Sequence, residues 1–440
     1  MDELTNFVKK IKNFSSQLNS NIPIEQARQV ILELNNFLFT YKDIEQIKST
    51  SESVYFSEFH KYWYNHHKKI LNASIDEKMC SNVADALHKV YLQTEGNAFS
   101  EIWNTYGLNN DEVCTIRLLT ANQDFNGSRE FKGLADVFNI DNSIFDIDII
   151  EKDPAEFIKK IKVAKLSQND KRLNYARNIC KFLKKYNSQP NTILKAFNND
   201  VFTFRQALIN YPSAGYGNKK TDMLIRDMVV LGIWKNVKNF DKIDVASDVN
   251  TIKIALRTGI LKTEIPLLSS FMDIFDYQYS YIEDMNAKAW RKVWEIWKLK
   301  YPTETIQSPC LLDYFIYSVI GKQFCNKILA IFKCEDGTHE FKWHSSKNRT
   351  CQECYKNGIK TKKANLINKI LPCSDNSGEI AIKNTEFGKM YPCITECPFK
   401  NICTEKNKTL QPPKAISIKG QTGWESAYSK MGEGGGGLRS

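Results

Sequence analysis

Residues 215–224 read Gly-Tyr-Gly-Asn-Lys-Lys-Thr-Asp-Met-Leu, and Asp248 stands 29 residues beyond Lys219. Each residue type here suits a definite chemistry. Closely spaced glycines let backbone N–H groups approach phosphate oxygens. A partly desolvated lysine amine loses its proton more readily and attacks carbon to form a Schiff base. A nearby carboxylate stabilises positive charge as it develops. Gly215, Gly217, Asn218, Lys219, Lys220 and Asp248 are therefore candidates for an amine–carboxylate site on a phosphate-bearing substrate. A nucleotide loop of the Gly-x4-Gly-Lys-Ser/Thr type is excluded. The residue before Lys220-Thr221 is Lys219 rather than glycine, and no βαβ pattern surrounds it. The plainer reading makes the two lysines a phosphate clamp and Asp248 a helix N-cap.

The cysteines carry a second chemistry. Of twelve, only Cys80, Cys114 and Cys180 lie in the first 300 residues, and the other nine fall between 310 and 403. Clustering of this kind in a chain expected to be cytosolic points to metal rather than disulfides. Cys393, Cys397 and Cys403 are spaced Cys-x3-Cys-x5-Cys. Cys351 and Cys354 form a Cys-x2-Cys knuckle, half of a common zinc site, with Cys334 and either His339 or His344 as the other half. The favoured zinc set is Cys334, His344, Cys351 and Cys354. Cys373 is a substitute ligand for either centre, and Cys310 reads as a buried thiol. The alternative is that the thiols of this segment are reduced and unligated.

These residues need a frame. The 440-residue chain has room for two or three domains and carries a net charge of +11. In residues 326–420, 17 Lys and Arg face 9 Asp and Glu, an excess that suits an anionic partner such as nucleic acid. No long apolar run predicts a membrane span, and the N-terminal MDELTNFVKK lacks a signal-peptide core, so a cytoplasmic protein is expected. Apolar residues recur at three and four over Ile24–Phe39, Val83–Leu92, Leu173–Leu183 and Met223–Leu231, which predicts helices. Residues 1–95 read as a helical N-terminal region. Its aromatic patch holds His60, His66 and His67, which fit a packed surface helix better than a metal site. Thr303–Ser308 reads as a connector, with a helix starting near Leu311. Residues 326–392 turn rich in Lys, Asn, Thr and Gly with short strand-like pieces such as HEFKW, as in a small inserted module. Residues 412–440 end in GEGGGGLRS, a mobile tail or a lid.

Five segments in order resemble the helix-hairpin-helix DNA glycosylases, the endonuclease III and 8-oxoguanine glycosylase superfamily. They are Leu118-Leu-Thr-Ala-Asn-Gln123, Tyr175-Ala-Arg-Asn-Ile179, the Gly215–Leu224 stretch, Asp248-Val-Asn250 with Arg257-Thr258, and Cys397-Pro-Phe-Lys-Asn-Ile-Cys403. The resemblance covers about residues 110–325 and 390–405. Against the family's Pro-Gly-Val-Gly-Arg-Lys, the hairpin here reads as longer, and the 29-residue gap from Lys219 to Asp248 suggests a separate inserted turn around Trp234–Asp244. Asn250 stands where the family has histidine. The resemblance implies a mainly α, two-lobed fold over residues 96–325. One lobe would hold helices from 96–115 and 260–325. The other would hold 116–259, with Lys219 and Asp248 facing the cleft. It implies a [4Fe–4S] cluster on Cys325, Cys393, Cys397 and Cys403 in a loop over 393–411, although four thiolates also suit zinc.

The implied activity is excision of a modified or damaged base from double-stranded DNA by a monomer, with or without strand-nicking lyase chemistry. Asp248 would stabilise an oxocarbenium-like sugar. Lys219, or alternatively Lys220, would attack C1′. The target base must leave the stack. Asn122 or Gln123 would then fill the gap, and Gly215, Gly217, Asn218, Lys220 and Asn250 would contact DNA. A DNA-binding module without catalysis is the alternative. The additions at both ends suit an unusual substrate, such as a bulky modified base in foreign DNA.

Overall fold

A computed structural model of the chain describes residues 47–48, 54–55, 68, 71–100, 104–123, 131–162, 169–263, 276–324, 329–333, 340–342, 366–371, 394 and 396–403. They are mainly helical. The expected helix at 24–39, the aromatic patch beyond Tyr55, and the tail 412–440 lie outside these residues. So do Cys325, Cys334, His339, His344, Cys351, Cys354, Cys373 and Cys393.

Helix α1, Glu77–Thr94, follows directly from its sequence. The Asp76 side chain caps it by accepting from the Met79 N–H at 3.0 Å. Cys80, Val83, Ala84, Leu87 and Val90 make one buried stripe, and the helix ends where Glu95 and Gly96 turn left-handed. That stripe packs against the long helix α10, Asp276–Lys300, which buries Ile282, Ala289, Trp290, Val293 and Trp297.

Between them in sequence runs a contiguous group of helices: α2 (Asn110–Thr120), α3 (Phe131–Ile140), α4 (Ile147–Lys152), α5 (Pro154–Lys160), α6 (Asn169–Lys185), α7 (Val201–Ile209) and α8 (Asn218–Val230). These pack mostly on one another, around α6. After an irregular stretch come α9 (Val249–Thr258), α10 and α11 (Leu311–Tyr314), the last continuing as a wide π-helix over Phe315–Phe324. Helices α9, α10 and the π-helix pack with α1 and its following turn. Strand β3 (Ser74–Ile75) pairs antiparallel with β4 (Leu261–Lys262), fastening the start of α1 to the end of α9. Strands β1 (Ile47–Lys48) and β2 (Val54–Tyr55) form a separate antiparallel pair.

The two groups differ from the expected lobes at three places. Helix α1 of the supposed N-terminal region belongs with α10, because its apolar stripe is completed there. Helix α2 joins the contiguous group, and α9 joins the split one. The connector over Thr303–Ser308 and the helix start at Leu311 stand as expected. Within 326–392, β5 (Leu329–Lys333), β6 (Glu340–Lys342) and β7 (Leu366–Leu371) make an antiparallel sheet in the order β6-β5-β7, and β6 lies inside the HEFKW piece. Among the described residues no helix is long and apolar enough to cross a membrane.

Candidate functional site

The turn between α7 and α8 is held from beneath by two of the segments singled out above. Tyr216 is buried, and its hydroxyl donates to the Leu118 carbonyl at 2.6 Å. The Asn122 amide donates to the carbonyls of Ala214 at 3.0 Å and Tyr175 at 3.1 Å. Asn178 donates to the Ser213 carbonyl at 3.2 Å. Gly215 crosses this contact at φ +76°, where an added Cβ would lie 2.6 Å from the Tyr175 ring. Only glycine fits there. Gly217 is the N-cap of α8, and no side chain caps that helix. The connection runs over residues 210–217 and helix begins at Asn218, so both lysines sit in its first turn.

The adjacent lysines part company. Lys220 is half-buried and donates to the Asn122 carbonyl at 2.9 Å. Lys219 is exposed, has no hydrogen-bond or ion-pair partner among the described residues, and lines a pocket with Ser247 and Glu283. Asp248 lies close enough for both it and Lys219 to act on the carboxyls of Glu283 and Asp313.

Asp248 is the N-cap of α9. It accepts from the Thr251 N–H at 2.8 Å, while the Thr251 hydroxyl accepts from the Asp248 N–H at 2.9 Å. Asn250 donates to the other Asp248 oxygen at 3.3 Å. Helix α10 holds this loop in place. Buried Asn286 donates to the hydroxyls of Ser247 at 2.9 Å and Thr251 at 3.1 Å. The Ser247 hydroxyl in turn donates to the Glu283 carbonyl at 2.8 Å. The carboxyl of Glu283 is half-buried. Burial pushes its pKa up to about 7, against the pull of the Lys219 charge.

Behind the pocket a buried charge chain crosses between the helix groups. Arg117 on α2 pairs with Asp227 on α8, Arg226 reaches Asp227 at 2.7 Å, and Arg226 also pairs with Asp313 on α11. Burial pushes the Asp313 carboxyl up to about 7, with Arg226 pulling it down. On the pocket wall Arg205 pairs with buried Asp222, whose carboxyl burial pushes up to about 6. There too Arg291 pairs with Asp244 at 2.5 Å.

Asn122 and Gln123, expected to fill the gap left by a flipped base, are both buried, and Gln123 donates to the Arg172 carbonyl at 3.1 Å. They tether loops and are not displayed as wedges for a duplex, because short amides satisfy buried carbonyls well. Cys397 is buried and Cys403 half-buried, on one turn where the Lys400 N–H donates to the Cys397 carbonyl at 3.0 Å. Phe399 and Ile394 fasten that turn to the core. Among the described residues no three His, Cys, Asp or Glu side chains converge to hold a metal ion. Cys310 is buried, as expected.

Sequence reasoning missed Glu283, Asn286 and Arg226. The available signal was spacing. Glu283 and Asn286 are polar residues set along a helix face that otherwise runs Ile282, Ala289, Trp290, Val293. No family model matches the chain, and the comparison with curated proteins gives no match.

Proposed function

We propose that the protein is a DNA glycosylase of the helix-hairpin-helix kind that excises a modified or damaged base from double-stranded DNA. The observation that carries this reading is an unengaged pocket amine, Lys219, and the anchored carboxylate of Asp248, next in the chain to pocket-lining Ser247, both acting electrostatically on Glu283. The uncapped start of α8 and the turn before it supply N–H groups for a backbone phosphate. Asp248 carries the negative charge that stabilises the sugar cation as the glycosidic bond breaks. Lys219 attacks C1′ and, where the enzyme also nicks the strand, carries the Schiff base.

The second reading, DNA binding without catalysis, is favoured by one feature. Both oxygens of Asp248 are engaged as cap and Asn250 partner. Borohydride trapping on base-modified and abasic duplexes separates the two. A covalent complex that disappears in Lys219→Gln supports catalysis. No complex on any duplex removes the Schiff-base role.

Two metal centres belong to the proposal. Cys325, Cys393, Cys397 and Cys403 would hold a [4Fe–4S] cluster that pins a basic loop against DNA, a structural role. Cys334, His344, Cys351 and Cys354 would hold zinc. Purified protein should then be brown and contain iron, sulfide and zinc. A colourless sample prepared without oxygen and containing only zinc would count against the cluster.

A further inference from the structure

The pocket beside Lys219 holds several carboxylates, and all but two are engaged. Buried Asp222 pairs with Arg205, and half-buried Asp244 pairs with Arg291. Asp248, one residue beyond pocket-lining Ser247, is occupied by its helix and by Asn250. Asp284 is exposed to water. Glu283 is different: it is half-buried, and among the described residues its carboxyl has no hydrogen-bond or ion-pair partner. Its backbone is fixed by the Ser247 hydroxyl, one residue before Asp248. A carboxyl that is positioned, partly dry and unspent beside a nucleophile is a group available for proton transfer.

We infer that Glu283 donates the proton to the departing base, a role that rests on the base-excision reading above. In this step the C1′–N bond breaks and its electron pair goes to the base nitrogen. The Glu283 proton goes to that base, which leaves neutral. The nucleophile that adds to C1′, water or the Lys219 amine, then loses a proton to solvent. Solvent reprotonates the Glu283 carboxylate and restores the acid. Burial keeps the Glu283 proton in place until about pH 7, inside the range where a general acid works best.

The charges that face Glu283 are mixed. Lys219 on α8 lowers its proton affinity, while Asp248 at the start of α9 and Asp284 on its own helix raise it. Arg205 on α7 and Arg291 on α10 are each committed to a partner, and Lys288 is exposed.

The test uses the full-length protein and two probes. One is a set of duplexes carrying uracil, an oxidised purine, an alkylated purine or a hydroxymethylated cytosine. The other is an abasic duplex, from which no base departs. Glu283→Gln should lower base excision by about 10²–10⁴-fold, the usual share of general acid catalysis. Wild-type excision should fall as pH rises past about 7. The Gln variant should lose that limb, and Glu283→Asp should keep it. Borohydride trapping on the abasic duplex should survive in Glu283→Gln. The inference is overturned alone if wild-type protein excises a base and Glu283→Gln does so at the same rate with the same pH profile. It is also overturned if excision and abasic trapping fall together. Wild-type protein inert on every duplex removes the base-excision reading itself, and this inference with it.

Discussion

The Lys220 ammonium donates to the Asn122 carbonyl across 2.9 Å, joining the first turn of α8 to the end of α2. Its neighbour Lys219 makes no such bond among the described residues. The two should therefore separate in experiment. Lys220→Met should cost about 1.5–3 kcal/mol, the worth of a charged hydrogen bond, read by urea denaturation. Lys219→Gln should leave the urea midpoint unchanged and remove the trapped adduct.

Gly215 should be irreplaceable for a local reason. Its φ of +76° and the 2.6 Å approach to the Tyr175 ring both oppose a side chain. Gly215→Ala should lose about 1–3 kcal/mol in urea denaturation, the scale of a strained left-handed residue or of overpacking. Gly217→Ala is the control, since nothing lies within 4 Å of an added Cβ and φ is −103°. It should fall within about 0.5 kcal/mol of wild type.

Asp248 has two duties that substitution can divide. Asparagine caps a helix about as well as aspartate, so Asp248→Asn should keep the thermal midpoint, whereas Asp248→Ala should cost about 1 kcal/mol. Loss of the charge should nonetheless lower excision by about 10²–10³-fold in Asp248→Asn. Full activity in that variant would leave Asp248 as a cap only.

Glu283 should also tilt stability with pH. Its folded pKa near 7 lies above the unfolded value of about 4.3. Between those two values the folded chain binds more protons, so stability falls as pH rises through the window and levels off above it. Glu283→Gln should flatten that fall, seen as a difference between the two proteins in unfolding free energy against pH. Equal slopes would show that the carboxyl does not titrate there.

Helix positions were legible in the sequence because amphipathic spacing is local. Val83–Leu92 lies in α1 and Leu173–Leu183 in α6, while Met223–Leu231 matches α8 apart from its last residue. The partners of those helices were not legible. Nothing in α1 states that its stripe completes itself on α10, far along the chain. Within the site, Lys219 and Asp248 could be named because amines and carboxylates advertise their chemistry. Asn122 and Gln123 were misread because an amide serves a buried carbonyl and a base equally well. Spacing sets Glu283 beside the apolar face of α10, but what distinguishes it is partial burial without a partner among the described residues, a property of packing.

The antiparallel pairing of Ser74–Ile75 with Leu261–Lys262, and the seat of α1 on α10, fix the order in which the molecule can assemble. Helices α2 to α8 find their partners as they are synthesised. Helix α1 precedes them yet must carry an uncovered apolar stripe until α10 has left the ribosome. A chain stopped at residue 245 should resist protease over 110–230 and be cut within 77–94. Among the described helices, α1 thus gains protection only after α10 is made, and until then its stripe is exposed to aggregation or to capture by chaperones.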